Sequence, residues 1–407
     1  MSHILVTGAN GFIGSHLVRH LLKLKEKENW VEDIVCMVRT TSDLSSLKGL
    51  DVKLVIADLR NPETLVKAVT GATYIFHVAA ELYAISRRQF LETNTEGTRN
   101  LLDAAAKHAS NSLKRFLFVS SQAAAGPAPN EVPITEDREP SPPVSWYAES
   151  KLKAEKIVMQ YAAQLPVTIV RPCSVYGERD PGFLTAFQGA ELRIHAVTGF
   201  RKRYTGMIYA PDLVEGMVAA ARHPRTVGEI YFLASPQSYT VREVVKTIGK
   251  AIDKPWGLTL PLPLFMFRIV ALFSELWYLF SRRKPIPSRD KVRDLSQIYW
   301  LCTPQKAREH FGWQAQTPLL DGLKATGKYY REEQRKLKKM PEELTNILWI
   351  KYFFLSLGIG ILIESLAAFG KVYVFKPWWL VFGIVLVLWG LIFGSIAMLT
   401  RIRSFLI

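Results

Sequence analysis

The stretch that most constrains how this chain folds stands at its beginning. An apolar run over residues 3–7 is typical of a buried parallel strand, and residues 15–25 follow with leucines at helical spacing. Between them lie three glycines at three-residue spacing, Gly8, Gly11 and Gly14. A glycine-rich turn between a strand and a helix lets the backbone approach a pyrophosphate, and the helix N-terminus adds unpaired N–H groups and a partial positive charge. The sequence therefore predicts a dinucleotide-binding turn, which includes Phe12 and Ile13.

Strands and helices are predicted to alternate through residues 1–172. Further apolar runs predict strands at residues 34–38, 52–57, 72–80, 115–121 and 167–171. Helical patterns separate them, including residues 87–108 and 147–163. Such alternation is typical of an α/β fold with a doubly wound parallel sheet, the Rossmann architecture. We expect a smaller α/β substrate-binding region over residues 173–330, which exchanges a strand and a helix with the first domain.

The residue after the second predicted strand bears on the choice of dinucleotide. Arg39 stands where a ribose-binding acid would usually lie, and Thr40, Thr41 and Ser42 follow it. A guanidinium and hydroxyl groups suit a 2′-phosphate. We therefore expect NADP(H) to be preferred, with NAD(H) as the other candidate. The alternative is that Arg39 is a solvated loop residue, or stacks on adenine without discriminating.

Tyr147 and Lys151 are the candidate catalytic pair. They are four residues apart in a predicted helix, so both side chains lie on one face. A phenol titrates near pH ~10, and a neighbouring cation lowers that pKa, so the phenol can exchange a proton with an alcohol or a carbonyl. Ser121 follows the predicted fifth strand and can hold the same substrate oxygen, with Ser120 as the alternative. His77 lies within an apolar strand and is interpreted as a satisfied core residue.

Taken together, these motifs resemble the extended short-chain dehydrogenase/reductases, the family of NAD-dependent epimerases and dehydratases. They occur in that family's order: residues 7–14, Asp58-Leu59, residues 77–80, residues 94–98, Ser120-Ser121, Tyr147 with Lys151, and Arg171-Pro172. The resemblance covers roughly residues 3–330. Within the family the chain is similar to the branch of 3β-hydroxysteroid dehydrogenases and dihydroflavonol reductases. Residues 289–313 resemble the C-terminal part of the proteins in that branch.

The resemblance implies a hydride-transfer enzyme. It makes Tyr147 the general acid/base, Lys151 the residue that lowers the pKa of Tyr147 and binds the nicotinamide ribose, and Ser121 the group that holds the reacting oxygen. Asn94 would have a structural or supporting role. The cofactor-binding residues that it implies are Gly8, Gly11, Phe12, Ile13, Gly14, Arg39, Asp58, Leu59, Ala79, Tyr147 and Lys151.

The chain is basic and contains few cysteines. Lys and Arg total 52 against 36 Asp and Glu, a net charge of +16, which favours nucleic acid, an anionic membrane surface or an anionic substrate. No nucleic-acid recognition motif is found, so we expect membrane lipid rather than nucleic acid as a partner. The basic residues at 193 and 201–203 are interpreted as a solvated or membrane-facing surface, with an anionic substrate group as the alternative. Three distant cysteines predict neither a disulfide framework nor a metal site.

Two apolar segments near the end of the sequence predict a transmembrane helical hairpin. Residues 378–400 carry no charged side chain and meet the ~20-residue requirement of a membrane-spanning helix. Residues 347–369 are a weaker candidate, because they contain Lys351 and Glu364. Two buried helices of a soluble domain are the alternative. A basic linker at residues 331–346 precedes the hairpin, and the greater basic weight outside the hairpin loop places the catalytic domain in the cytoplasm.

Residues 263–281 are unusually apolar for a soluble domain. Arg268 and Glu275 interrupt the segment and make a full membrane span unfavourable, while basic residues follow at 282–284. The pattern predicts an interfacial helix that lies on a membrane surface. An ordinary buried helix of the substrate-binding region is the alternative.

Three functions fit these features. The first is a membrane-anchored NAD(P)-dependent oxidoreductase acting on a small hydrophobic alcohol or ketone, such as a sterol-, terpenoid- or lipid-like substrate. The second is an epimerase or dehydratase of a nucleotide- or lipid-linked sugar, which would return its hydride. The third, disfavoured because Tyr147 and Lys151 are both present, is a non-catalytic dinucleotide-binding membrane protein. A homodimer is left open.

Overall fold

The computed structural model describes residues 2–28, 32–281 and 287–338 of the chain. Its strands in chain order are β1 (His3–Thr7), β2 (Asp33–Val38), β3 (Lys53–Ile56), β4 (Ala72–His77), β5 (Arg115–Val119), β6 (Val167–Pro172), β7 (Ser174–Tyr176), β8 (Ile194–Thr198), β9 (Tyr204–Tyr209), β10 (Glu229–Leu233), β11 (Ser238–Thr240), β12 (Leu258–Leu262) and β13 (Tyr299–Trp300).

The helices alternate with the strands in the first half of the chain. In chain order they are α1 (Phe12–Glu28), α2 (Pro62–Val69), α3 (Arg87–Phe90), α4 (Gly97–His108), α5 (Gln122–Ala125), α6 (Trp146–Gln160), α7 (Pro181–Glu191), α8 (Ala210–Arg222), α9 (Val241–Ala251), α10 (Leu264–Ser281), α11 (Arg289–Ser296), α12 (Gln305–Phe311) and α13 (Leu319–Lys338). Short 3₁₀ turns occur at Ser45–Leu47 and Pro224–Thr226.

The main sheet confirms the predicted doubly wound parallel architecture. In the described part of the chain it has seven strands in the order β10-β6-β5-β4-β1-β2-β3, and every neighbouring pair is parallel. The strand order runs outward from β1 to β3, and β4 then returns to the other side of β1. Ligands of such sheets bind outside the carboxyl ends of the strands where the winding reverses. The glycine turn after β1 therefore opens onto this crevice.

The apolar character of the central strands follows from burial on both faces of the sheet. Along β1, Ile4 and Val6 join a cluster that includes α1 and α8 side chains, whereas Leu5 joins a cluster on the opposite face with α2, α4 and α6. Because successive strand residues point to opposite faces, a strand covered on both sides must be apolar throughout. The sheet is therefore the middle of three layers.

The segment predicted as the substrate-binding region contributes to the sheet. Its strand β10 pairs with β6, and its helix α8 packs against α1. The same segment forms two smaller sheets, one from β11, β9, β13 and β7 and one from β12 and β8. Residues Met1–Arg331 make one compact unit.

The predicted helix at residues 87–108 is interrupted. A π-helix over Leu91–Glu96 separates α3 from α4 and carries Asn94. The side chain of Asn94 binds the backbone of Glu81 and the hydroxyl of Ser150, and these contacts hold it inward at the widened turn. Hydrophobic spacing does not reveal such a bulge, because the apolar pattern is helical on both sides of it.

The predicted membrane segments have different outcomes. Residues 347–369 and 378–400 lie outside the described residues, as does the predicted linker from residue 339 onward. Among the helices that the structure does describe, none combines the length and the apolar character of a bilayer span. The predicted interfacial segment is the helix α10.

Candidate active site

The glycine turn after β1 is too tight for side chains. Gly8 has φ +67°, and a Cβ atom there would lie 2.8 Å from the backbone of Ala79. A Cβ atom at Gly14 would collide with the carbonyl oxygen of Gly8, whereas one at Gly11 would lie 3.2 Å from it. Phe12 begins α1, so the first backbone N–H groups of that helix face the turn. This cradle fits a dinucleotide pyrophosphate, because main-chain donors are accessible and no side chain fills the space.

The residues expected at the adenosine end lie on the carboxyl side of β2 and β3. Arg39 is exposed, and its backbone N–H donates to the hydroxyl of Ser42 over 2.9 Å. Asp58 receives a bidentate pair of hydrogen bonds from Arg60, which holds the pKa of the Asp58 carboxyl below its usual value, and Arg39 adds to this effect. Leu59 is buried against Gly97. Arg60 was missed by sequence reasoning.

Ser121 and Tyr147 are brought together at the carboxyl end of β5. Ser121 caps α5 by accepting a hydrogen bond from the backbone of Ala123 over 3.2 Å. Its side chain also lies close enough to the phenol of Tyr147, in the first turn of α6, to act on the pKa of that phenol. Ser120 is instead buried, and its hydroxyl has no partner among the described residues. Of the two adjacent serines, Ser121 is thus the one that meets the phenol.

Lys151 is buried one turn after Tyr147. Its Nζ atom donates to the carbonyl oxygen of Val119 over 2.8 Å and lies 4.7 Å from the centre of the Phe118 ring. Burial lowers the pKa of Lys151 from 10.5 to about 7. The Lys151 amine is therefore only partly protonated near neutral pH, and it donates its hydrogen bond to the main-chain carbonyl of Val119.

The pKa of Tyr147 is raised, which is opposite to the sequence prediction. Burial is the largest cause, the hydrogen bond with Ser121 acts in the other direction, and the negative charge of Asp294 adds to the increase. Desolvation of the phenol dominates the shift, and Lys151, whose own pKa is lowered by burial, is not among its causes, so the lowering predicted from Lys151 stays a prediction. The phenol of Tyr147 consequently stays protonated at neutral pH.

Two buried polar residues confirm the supporting roles predicted for them. His77 is hydrogen-bonded to the hydroxyls of Thr7 and Thr98, over 2.8 and 2.9 Å, and burial lowers its pKa to about 3. It is therefore a neutral core residue. Asn94 donates to the hydroxyl of Ser150 over 2.9 Å, which links the π-helix to α6. His77 thus connects β4 to the end of β1 and to α4, and Asn94 connects the π-helix to α6, the helix that contains Tyr147.

A contact from α11 fixes the start of α6 and was missed by sequence reasoning. The carboxylate of Asp290 accepts hydrogen bonds from the backbone N–H groups of Trp146, over 2.7 Å, and Tyr147, over 3.2 Å. The guanidinium of Arg293 lies 4.8 Å from the centre of the Trp146 ring and 3.6 Å from Asp290. The one sequence signal that could have pointed to this contact was the similarity of residues 289–313 to the C-terminal part of a known family. That similarity does not show which residues they contact.

Comparison with known proteins agrees with this geometry. The model of the NAD dependent epimerase/dehydratase family matches residues 4–234. A ceramide reductase of Caulobacter vibrioides is 30% identical over 81% of this chain and 94% of its own. The 3beta-hydroxysteroid-dehydrogenase/decarboxylase isoform 1 of Arabidopsis thaliana is 24% identical over 87% of this chain and 85% of its own.

A solved structure shows the same fold. The dTDP-glucose 4,6-dehydratase DesIV of Streptomyces venezuelae, with NAD and TYD bound, superposes with a TM-score of 0.66. The match covers 82% of this chain and 97% of the dehydratase, at 22% sequence identity. At that identity the likeness concerns the fold alone.

Proposed function

Because this chain belongs to the NAD-dependent epimerase/dehydratase family of extended short-chain dehydrogenase/reductases, which are NAD-dependent enzymes, we propose that it is a membrane-anchored oxidoreductase of hydrophobic alcohols or ketones. The observation that carries the proposal is that the Ser121 hydroxyl and the Tyr147 phenol come together at the carboxyl edge of the sheet, on the same edge as the glycine cradle. A partly buried phenol and a hydroxyl at this edge can hold and protonate one substrate oxygen.

The residues at this edge fit a nicotinamide dinucleotide. The turn at Gly8, Gly11 and Gly14 and the N-terminus of α1 would hold the pyrophosphate, and Lys151 would lie at the nicotinamide ribose. When bound, the nicotinamide supplies or accepts the hydride. The chain's own residues then bind, orient and protonate the substrate.

Tyr147 is the proposed general acid/base. A phenol with a raised pKa is protonated at neutral pH, so Tyr147 carries the proton that a carbonyl oxygen held by Ser121 would take up. In the opposite direction the phenolate must form, and a fully protonated Lys151 would help to stabilise it.

NADP(H) is the proposed cofactor, with NAD(H) as the other candidate. The guanidinium of Arg39 is exposed at the end of β2 and forms no ion pair within the described residues. Arg60 is engaged by Asp58. Arg39 is thus the cation that remains available for a 2′-phosphate.

The outward face of α10 supports a hydrophobic substrate and a membrane location. Its exposed apolar side chains recur at helical spacing: Phe265, Ile269, Leu272, Phe273 and Leu276. Ala271 and Glu275 are buried on the other side of the helix. The carboxylate of Glu275 binds Arg289 at the start of α11, the helix that contacts Tyr147. An apolar face this close to the site would bring the site to the bilayer surface, from which a lipid-like substrate can enter.

The remaining parts of the proposal rest on sequence and on relatives. The predicted spans at 347–369 and 378–400 would anchor the chain, with the catalytic domain in the cytoplasm. The names of two relatives, a ceramide reductase and a 3beta-hydroxysteroid-dehydrogenase/decarboxylase, favour lipid substrates. The second candidate function is an epimerase or dehydratase of a nucleotide- or lipid-linked sugar, which the matched family model favours.

An untargeted turnover experiment tests the proposal. The full-length protein in nanodiscs is incubated with either NADPH or NADH and, in separate reactions, with membrane lipid extract or a mixture of nucleotide sugars. Products are separated by chromatography, which resolves epimers, and identified by mass spectrometry. We expect a lipid whose mass changes by two hydrogens with wild type and not with Tyr147→Phe. Inversion of a sugar centre without a net redox change would favour the second function. No Tyr147-dependent product from lipids or nucleotide sugars would overturn both.

A further inference from the structure

Asp294 presents a buried carboxylate oxygen that lacks a partner. The residue is 6% exposed, and its Oδ1 atom has no hydrogen bond with any part of the chain that the structure describes. Its Oδ2 atom lies 3.5 Å from Nζ of Lys291, a side chain that is 49% exposed. Burying a charged oxygen without a hydrogen bond is costly, so native proteins retain such atoms where a ligand or water completes them.

This carboxylate belongs to α11, the helix that contacts Tyr147. Asp290 and Asp294 are four residues apart on α11, so they share one face of the helix. Asp290 contacts the backbone of Tyr147, so Asp294 lies one helical turn beyond a residue in direct contact with that tyrosine. The electrostatic influence of Asp294 on the Tyr147 phenol agrees with this placement.

The surroundings of Tyr147 combine apolar surface with incomplete polar groups. The ring of Phe90 lies 6.2 Å from that of Tyr147, edge to face. On the other segment that reaches the phenol, Oγ of Ser120 and Nε2 of Gln122 are also buried without a partner in the described residues. These groups flank Ser121, so unpaired polar atoms lie on both segments that contact Tyr147. Asp294 supplies the carboxylate acceptor among them.

We propose that Asp294 accepts a hydrogen bond from a hydroxyl or amide N–H group that the substrate carries next to the reacting carbon. This inference rests on the proposed function and narrows its substrate class to hydrophobic α-hydroxy or α-amido ketones and the corresponding alcohols. A ketone without such a donor leaves the buried carboxylate unpaired. Sites built for a substrate donor discriminate strongly against analogues that lack it.

Two matched pairs of ligands test the proposal. One pair is a long-chain α-hydroxy ketone and its α-methoxy ether, and the other is a long-chain α-acetamido ketone and its N-methyl derivative. Each pair differs by one donor hydrogen and a methyl group. Dissociation constants are measured by calorimetry with the full-length protein in nanodiscs, for wild type, Asp294→Ala, Asp294→Asn and the exposed control Asp321→Asn. Binding does not require turnover, so this outcome is separable from the fate of the proposed function.

Wild type and Asp321→Asn are expected to favour the donor-bearing member of at least one pair by about tenfold or more. The pair that shows the preference identifies the donor as hydroxyl or amide. Asp294→Ala should bring the two members within about threefold of one another and leave the affinity for the methylated member unchanged. Equal binding of both members by wild type, or a preference that survives in Asp294→Ala, would overturn the proposal. An equal loss for all four ligands would assign Asp294 a structural role instead.

Discussion

Around Tyr147, the local chemistry holds a protonated phenol in contact with one hydroxyl. Burial raises the pKa of Tyr147, and the hydrogen bond with Ser121 opposes this only in part. Lys151 donates to the carbonyl of Val119, so its charge is directed at the backbone. Proton donation by the phenol therefore requires no prior ionisation, whereas proton removal from an alcohol does.

Removal of the phenolic oxygen should abolish catalysis and spare cofactor binding. Tyr147→Phe keeps the ring and its packing against Phe90 but removes the proton donor, so kcat should fall by a factor of about 10²–10⁴. NADPH affinity, measured by fluorescence titration, should change by less than about threefold. Tyr161→Phe, whose hydroxyl binds Asp103 away from the site, is the matched control and should retain full activity. Wild-type turnover by Tyr147→Phe would rule out the proposed mechanism.

Arg39 is expected to read the 2′-phosphate. Because a guanidinium–phosphate contact is charge-assisted, Arg39→Ala should raise the KM for NADPH by about tenfold or more and leave the KM for NADH nearly unchanged. Arg88→Ala removes another exposed guanidinium, in a different part of the chain, and should affect neither value. Equal losses for both cofactors in Arg39→Ala would show that this residue does not discriminate between them.

Between elements, the position of the catalytic helix depends on α11. The carboxylate of Asp290 satisfies two N–H groups at the start of α6, and Glu275 of α10 in turn binds the start of α11. Three helices are therefore linked in series, from the exposed apolar face of α10 to the backbone of Tyr147. Burial raises the pKa of Asp290, and its two backbone hydrogen bonds act in the opposite direction.

Loss of this cap should lower kcat more than substrate affinity. Asp290→Ala removes both acceptors, so we expect destabilisation of about 1–2 kcal/mol and a kcat decrease of about tenfold with little change in KM. Asp290→Asn keeps one acceptor oxygen and should recover part of kcat. Steady-state kinetics and denaturant unfolding measure both effects. If Asp290→Ala loses stability while kcat is retained, Asp290 does not position Tyr147.

The apolar face of α10 should contact lipid in a bilayer. The three cysteines of the chain are free and buried, so an introduced surface cysteine can be labelled selectively. A polarity-sensitive dye attached to Leu272→Cys should show blue-shifted emission in nanodiscs relative to detergent-free unfolded protein. The reason is that position 272 would lie in the interface between the bilayer and water. The same dye on Leu192→Cys, exposed elsewhere, is the control. Identical spectra at both positions would contradict membrane contact by α10.

For the whole molecule, burial of Lys151 links the active site to folding stability. The pKa of Lys151 is about 7 in the folded protein, against 10.5 for an unperturbed lysine in the unfolded chain. Between pH 7 and pH 10.5 the unfolded chain therefore binds more protons than the native chain. Its contribution therefore makes stability rise with pH across that interval, and the cost of the buried amine is greatest below pH ~7.

Replacement of Lys151 by an apolar residue should remove the stability cost of burying its amine. Lys151→Met should raise Tm near pH 7, and the difference from wild type should shrink as pH approaches ~10, where the unfolded lysine also loses its proton. Thermal unfolding from pH 6 to 10 measures this difference. Lys153→Met, exposed on the same helix, should show no such pH dependence. A constant difference between Lys151→Met and wild type would mean that Lys151 is charged throughout.

The sequence by itself determined the features that depend on neighbouring residues along the chain. Glycine spacing predicted the turn at Gly8, apolar runs predicted the parallel sheet, and a four-residue spacing placed Tyr147 and Lys151 on one helical face. Each is a local property, because backbone sterics and helical or strand periodicity act over a few residues.

Only the tertiary structure decided the features that arise from distant segments. Asp290 meets the backbone of Tyr147 across 143 residues of sequence, and no local pattern encodes that contact. The direction of the Tyr147 pKa shift follows from burial, which depends on everything packed around the phenol. The apolar stripe of α10 has the same spacing whether it faces a core or solvent, so its outward direction was decided by what the other described residues leave uncovered.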